Sequence, residues 1–297
     1  MPPRPERQVA DKRVWILAGY RRSLIPVLML DAIRDRAPRG VRVEAVVCVS
    51  ELTPRRILAW RKRFGKAFLA KALRSAGVGR RGRDDPERAV LLARRGGGAS
   101  PPTIRARCDE MGLAFHVVRG PNEPDALKLL SAGRPDLVLY AGGGILRERF
   151  LALPRDGVVN VHSGPLPHVR GMSAAEWSLY LGIAPTATVH WIDRGVDTGG
   201  ILGWAVTEVK TGDRIGHVRS RALVAGMDLL ADLLEPLAAG DLETKDNPGD
   251  RGRQYYEMAE PLKQIVQGWI DAGRTPLRAH TEVDPDDTRA AVARSVP

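Results

Sequence analysis

The feature that most limits the architecture of this chain is an alternation of short apolar, β-branched runs with segments of helical period. "RVWILAG" (13–19) reads as a first buried strand ended by Gly19, and "VRVEAVVCVS" (41–50) as a second. Between them Leu24, Val27, Leu28, Leu30 and Ile33 fall roughly on one helical face. Strand, helix and strand at this spacing predict parallel βαβ units with right-handed crossovers. The rhythm resumes after residue 102 with helix "TIRARCDEMG", strand "AFHVV", helix "EPDALKLLSAG" and strand "DLVLYAGG". A short helix over 145–152, strand "GVVNVH", a helix over 173–181 and strands "TATVHWI" and "GILGWAVTEV" follow. A helix over 213–239 carries Ile215, Val218, Leu223, Leu230 and Leu234 as part of its apolar face.

The expected fold is therefore α/β: a Rossmann-like, open, twisted, mostly parallel sheet with helices on both faces. Residues 1–12 are expected to be a disordered N-terminus and 13–240 the α/β domain. Residues 241–297 form a C-terminal extension, turn-rich at first, helical over "MAEPLKQIVQGWIDAG", then frayed. Trp177 and Tyr180 are expected to pack internally.

One segment breaks the rhythm. Residues 54–75 read as an amphipathic helix, with Ile57, Phe64, Phe68 and Ala72 on one stripe and basic residues mostly off it. Such a helix can lie on a membrane, grip RNA, or simply pack on its own domain. Residues 76–102 lose periodicity, and 51–102 as a whole reads as a basic insertion between α/β units. Charge follows the same division. Residues 1–107 hold 26 Lys+Arg against 9 Asp+Glu, whereas the remaining 190 hold 20 against 26. That basic half suits RNA, a membrane surface, an acidic protein or a phosphorylated substrate, and equally a solvated arginine-rich face.

The two cysteines, Cys48 and Cys108, are too few for a disulfide framework or a four-cysteine metal site. No metal is expected. The N-terminus has no apolar core of a signal peptide, and no run approaches the roughly 20 apolar residues that span a bilayer. A cytoplasmic protein is the expectation.

Polar residues with chemical capacity gather in three places. In an open parallel sheet the ligand site lies beyond the carboxyl ends of the strands. Asn160 and His162 sit at that end of "GVVNVH" and, two apart on a strand, share a face. By itself an Asn-x-His pair is more often a satisfied core or capping histidine. "HWIDRGVDTGGIL" (190–202) places Asp193 and Asp197 around an Arg-Gly turn, which reads either as a functional loop or as an ordinary acidic hairpin. "YAGGGIL" (140–146) places three glycines at a strand end, where backbone groups can face a flat ligand. It lacks the G-x-G-x-x-G spacing of a dinucleotide site.

Together these elements resemble the folate-dependent formyltransferases, which act on methionyl-tRNA, glycinamide ribonucleotide or amino sugars. The family pattern of Asn-x-His, a Leu-Pro…Arg-Gly loop, and Asp-Thr/Gly-Gly reads here as Asn160-Val161-His162, "PLPHVRG" and Asp197-Thr198-Gly199. Asp197 follows His162 by 35 residues. The resemblance is strong over about 130–205 and elsewhere rests on the order of α/β units. It implies the formyltransferase fold and 10-formyltetrahydrofolate as donor. It further implies Asn160, His162 and Asp197 as catalytic residues. Asn160 and His162 would stabilise the oxyanion of a tetrahedral intermediate, and Asp197 would assist proton transfer. The pterin slot would comprise Gly143, Gly144, Ile145, Leu146, Asp193, Gly195 and Val196. Arg21, Ser163, Arg170 and His190 are candidate substrate contacts, with His190 equally readable as a supporting or structural histidine.

Three departures from the family narrow the expected acceptor. The loop after the first strand is "AGYRRSLIP", not the Gly/Ser-rich phosphate loop of glycinamide-ribonucleotide enzymes. Residues after 240 show helix and turn signals rather than the C-terminal β-barrel of methionyl-tRNA enzymes. Only 12 residues precede Arg13, too few for the regulatory domain of formyltetrahydrofolate hydrolases. The expectation is a stand-alone biosynthetic N-formyltransferase acting on a small primary amine, such as an amino sugar or an amino-acid-derived amine. A nucleotide-linked substrate or an acidic carrier protein would suit the basic half. The alternatives are a methionyl-tRNA formyltransferase-like enzyme, or a catalytically silent RNA-binding relative.

Overall fold

The computed structural model describes residues 11–19, 23–50 and 102–275. Residues 1–10, Tyr20, Arg21 and Arg22, the insertion up to residue 101 with the helix expected over 54–75, and the tail from 276 lie outside the described residues. Strand β1 (Lys12–Ala18) leads through helix α1 (Ile25–Arg36) into β2 (Val41–Val49). Helix α2 (Ile104–Met111), β3 (Ala114–Val118), α3 (Pro124–Gly133) and β4 (Leu137–Ala141) continue the alternation. The short α4 (Glu148–Leu151) precedes β5 (Gly157–His162). Local signals set these ends. The Thr103 hydroxyl accepts from the Ala106 N–H at 3.1 Å to cap α2, which Gly112 ends in a left-handed conformation.

Among the described residues the sheet has seven strands in the order β3-β2-β1-β4-β5-β7-β8, where β7 is Thr186–Trp191 and β8 is Ile201–Val206. The first five run parallel, and β7 pairs antiparallel with both β5 and β8. This is the open, mostly parallel, Rossmann-like sheet expected from the alternation. Its two faces are separate cores. Val14, Ile16, Val159, Val161 and Val189 pack on one side, and Trp15, Leu17, Val138 and Val158 on the other. Cys48 and Cys108 are buried free thiols, and burial pushes the Cys108 thiol up to about 11.

The first core is closed by α6 (Ile215–Ala239). Ala222, Gly226, Leu230 and Leu234 recur at every fourth position and are all buried, the stripe that a helix lying flat on a sheet requires, whereas Val218 before them packs with Leu179 and Met258. Gly226 is where helix and sheet come closest. A Cβ there would lie 2.4 Å from Val161 Cγ1 and 2.7 Å from Ala187 Cβ. Gly226→Val therefore forces α6 away from the back of β5. It is expected to cost about 1–3 kcal/mol in urea denaturation, typical of an overfilled core. Unchanged stability would mean that the helix shifts freely.

Beyond α6 the chain does more than trail away. Strand β9 (Arg253–Tyr255) pairs in parallel with β6 (Val169–Gly171), and α7 (Glu260–Asp271) packs beside α5 (Ala174–Tyr180). Both three-residue strands were absent from the sequence-based expectation, because three residues show no period. Trp177 stacks on Tyr255 at 4.8 Å and Tyr180 on Trp269 at 5.8 Å, so both aromatics contact the extension, but Tyr180 stays 38% exposed and is not internal as expected. Glu176, fully buried in the first turn of α5, pairs with Arg219 of α6. Among the described residues no helix is long and apolar enough to cross a membrane.

Candidate functional site

Strand order reverses between β1 and β4, the topological switch point at which open α/β sheets bind ligands. Gly19 leaves β1 there, and Gly142, Gly143 and Gly144 leave β4 with φ of 104°, 130° and 101°. A Cβ on Gly19 would sit 3.1 Å from Gly143 N, so the two exits touch backbone to backbone. The ribbon that follows is pinned from outside. The Tyr140 hydroxyl donates to Gly144 O at 3.0 Å and accepts from its N–H at 3.2 Å. Asn122 donates to Ile145 O and accepts from the Arg147 N–H, each at 2.8 Å. Leu146 is buried and anchors the ribbon in the core, whereas Ile145 is 83% exposed. Sequence reasoning singled out residues 143–146 but missed Asn122 and Tyr140, because their partners are backbone atoms that leave no pattern.

On β5, Val159 and Val161 face α6 while Val158, Asn160 and His162 face the other way. The register places Asn160 opposite His190, and His162 opposite Thr188, both on β7. His190 Nδ1 lies 2.7 Å from Trp191 O, which only accepts, so Nδ1 carries the hydrogen. Nε2 is then the acceptor, and the Asn160 amide donates to it at 3.1 Å. Burial, followed by the neighbouring His162, lowers the His190 pKa to about 4 and keeps this ring neutral near pH 7. His190 and Asn160 are thus joined by one hydrogen bond with the Asn160 amide as donor.

His162 is buried, with Nε2 2.9 Å from Val169 O and Nδ1 3.4 Å from Asp197 Oδ2. Asp197 Oδ2 also accepts from the Gly171 N–H at 2.8 Å, and Oδ1 lies 3.8 Å from His190 Nε2. The three residues expected to act together, Asn160, His162 and Asp197, therefore meet in one knot with His190. Asp197 has φ of 54°, a left-handed conformation that costs a non-glycine residue about 1–3 kcal/mol and persists only where neighbours hold it.

The two prolines of the 163–171 loop by themselves predict a stiff exit held away from Asn160 and His162. It folds back instead, putting Val169 O on His162 and leaving so little space that a Cβ on Gly164 would lie 2.8 Å from His162 Nε2. The Thr188 hydroxyl donates to Gly164 O at 2.7 Å and accepts from the Leu166 N–H at 3.2 Å, which ties the loop down. Arg170, a candidate substrate contact, spends Nη2 on Gly249 O and Gly252 O of the extension, at 2.8 and 3.2 Å. Ser163 is half-buried directly after His162. Arg21 is outside the described residues.

Asp193 behaves as the turn-former that an acidic hairpin needs. Its Oδ1 accepts from the Gly195 N–H at 2.9 Å and the Thr198 hydroxyl at 2.5 Å. Val196 projects outward, 43% exposed. An ion pair between Arg194 and Glu148 joins the 193–197 loop to the start of α4, just after the glycine ribbon.

The chain is similar to known proteins. A family model described as "Formyl transferase" matches residues 98–234. Methionyl-tRNA formyltransferase of Halorhodospira halophila is 33% identical over 209 residues, covering 63% of this chain and 66% of its own length. The chain belongs to the formyltransferase family. A methionyl-tRNA formyltransferase of Salinispora tropica is 33% identical over 160 residues, covering 53% of this chain and 52% of that protein. The chain thus spans about half to two thirds of the curated formyltransferases it matches. Among solved structures, glycinamide ribonucleotide transformylase 1 from Symbiobacterium toebii superposes with TM-score 0.52 at 20% identity, over 80% of this chain and 95% of that one. A sugar N-formyltransferase from Shewanella sp. FDAARGOS_354 does so with TM-score 0.52 at 14% identity, over 93% and 94%. These two likenesses establish the formyltransferase fold.

Proposed function

We propose that this chain is an N-formyltransferase that moves a formyl group from 10-formyltetrahydrofolate to the primary amine of a small biosynthetic substrate. The observation that carries this reading is the knot of Asn160, His162, Asp197 and His190 at the carboxyl edge of the sheet, next to the switch point. The glycine ribbon fits a flat donor. A Cβ on Gly144 would meet nothing within 4 Å, and exposed Ile145 and Val196 offer apolar edges for a ring system. The donor supplies an activated formyl carbon; the protein's own residues supply the polar surroundings.

One N–H of the Asn160 amide is held by His190, which leaves the other to donate to the oxygen on which charge develops as the amine attacks. His162 joins in that stabilisation once its Nε2–H leaves Val169 O, so the exit loop and the formyl oxygen compete for one hydrogen. A proton that reaches Nδ1 of His162 is held against Asp197. Purified protein incubated with 10-formyltetrahydrofolate and a panel of amino sugars, nucleotide-linked amines and amino-acid-derived amines should release tetrahydrofolate and yield a formylated amine. No turnover across the panel, with no binding of folate analogues, overturns the reading.

A second reading takes the amine from an aminoacyl-tRNA. Its support is that the relatives are named methionyl-tRNA formyltransferases and that basic residues crowd the first 107 positions. Retention on immobilised tRNA that falls steeply with salt would favour it over a small amine, or over one carried by an acidic protein.

A further inference from the structure

Asp197 keeps a left-handed backbone that needs holding, and the holding group comes from the extension, 50 residues further along the chain. Asn247 donates from Nδ2 to Asp197 O at 3.0 Å and to Gly199 O at 2.8 Å. Its amide oxygen is buried without a partner among the described residues, so the residue's contribution here is its N–H pair. A reciprocal bridge sets the register of this segment. Ile201 N–H donates to Lys245 O, and Lys245 N–H to Ile201 O, both at 2.8 Å. From the other side the loop is closed by Gly199, where a Cβ would sit 2.0 Å from Trp191 O. Asn247 lies beyond residues 98–234, which the family model matches.

We propose that Asn247 is a positioning residue for formyl transfer, clamping the 197–199 backbone so that the Asp197 carboxylate faces His162. The proposal rests on the role given to Asp197 above. Removing the two N–H groups frees Asp197 to leave the left-handed conformation, and its carboxylate then turns from His162 Nδ1 without any change at the donor ribbon. A clamp of this kind acts on the chemical step, not on binding of the amine.

The test is a double-mutant cycle of Asn247→Ala with Asp197→Asn, read alongside the imidazole ¹⁵N spectrum of His162, assigned with His162→Gln. Asn247→Ala should lower kcat about 10- to 100-fold, the cost of misplacing a reacting group, and leave the KM for the amine within about two-fold. In the Asp197→Asn background the same substitution should change kcat by less than about two-fold, since the two act through one contact. Equal losses in both backgrounds, or unchanged kcat, overturn the proposal. Asn247→Ser, which retains a single donor, covers the case in which the alanine variant fails to fold and should give a smaller loss. If the wild-type protein turns over no amine, the proposed function fails, yet the spectrum still decides the clamp. The His162 ring signals should move in Asn247→Ala as they do in Asp197→Asn, and stay in place in Glu243→Ala, an exposed neighbour. Ring signals identical to wild type in Asn247→Ala overturn it.

Discussion

Replacing Asn160 with Ala is expected to lower kcat for formyl transfer by about 100- to 1,000-fold, the range seen when one donor to a developing oxyanion is lost. The substitution removes the amide that donates to His190, while the valines flanking it on β5 keep the strand in the sheet. Folding is therefore expected to persist, as far-UV circular dichroism would show. Because the lost bond strengthens during reaction, kcat and kcat/KM should fall together. Asn160→Asp makes the sharper comparison. It keeps the shape, removes both N–H donors and adds a carboxylate to the knot that already holds Asp197, so it should be at least as slow. Wild-type turnover in either variant would remove Asn160 from the mechanism.

Stability should fall as pH drops from about 6.5 to 4, and His190 should account for a definite share of the fall. Burial, with His162 beside it, lowers this imidazole from 6.5 to about 4 in the folded protein. Between those values the unfolded chain takes up a proton that the folded one refuses, so acid favours unfolding. The contribution is fully present above pH 6.5 and is lost as pH falls to about 4. It amounts to about 3 kcal/mol, since one unit of pKa corresponds to about 1.4 kcal/mol. His190→Gln keeps an acceptor for Asn160 but cannot titrate. Urea midpoints of both proteins at pH 7 and pH 4 give the measurement. The wild-type protein should lose about 3 kcal/mol more than the variant, and parallel losses would show that His190 accepts its proton in the folded state.

The two predictions concern neighbouring side chains, but they differ in how early they could be foreseen. Asn160 and His162 were legible as a pair facing one way because side-chain direction on a strand is set by parity, a strictly local property. That Asp197 belongs with them was legible only through the spacing shared with the formyltransferases; nothing local in "DRGVDTGG" distinguishes it from Asp193. In the folded protein the two separate. Asp193 closes its own turn through Gly195 and Thr198, and Asp197 reaches across to Gly171 and His162. The exit loop was misjudged for a related reason. Its prolines announce stiffness, but where a stiff loop lies depends on partners such as Thr188, which comes 22 residues after Leu166 on another strand.

The alternation of strands and helices, the face that bears Asn160 and His162, and the glycines at the ends of β1 and β4 were determined by the sequence alone. Each is encoded within a few residues by period, parity or backbone freedom. Only the tertiary structure decided that Val169 O covers His162, that Arg170 bonds the extension at Gly249 O, and that Asn247 donates to the backbone of Asp197. These are hydrogen bonds between side chains and distant backbone carbonyls. A carbonyl is present at every residue, so the sequence does not mark which one a side chain will meet.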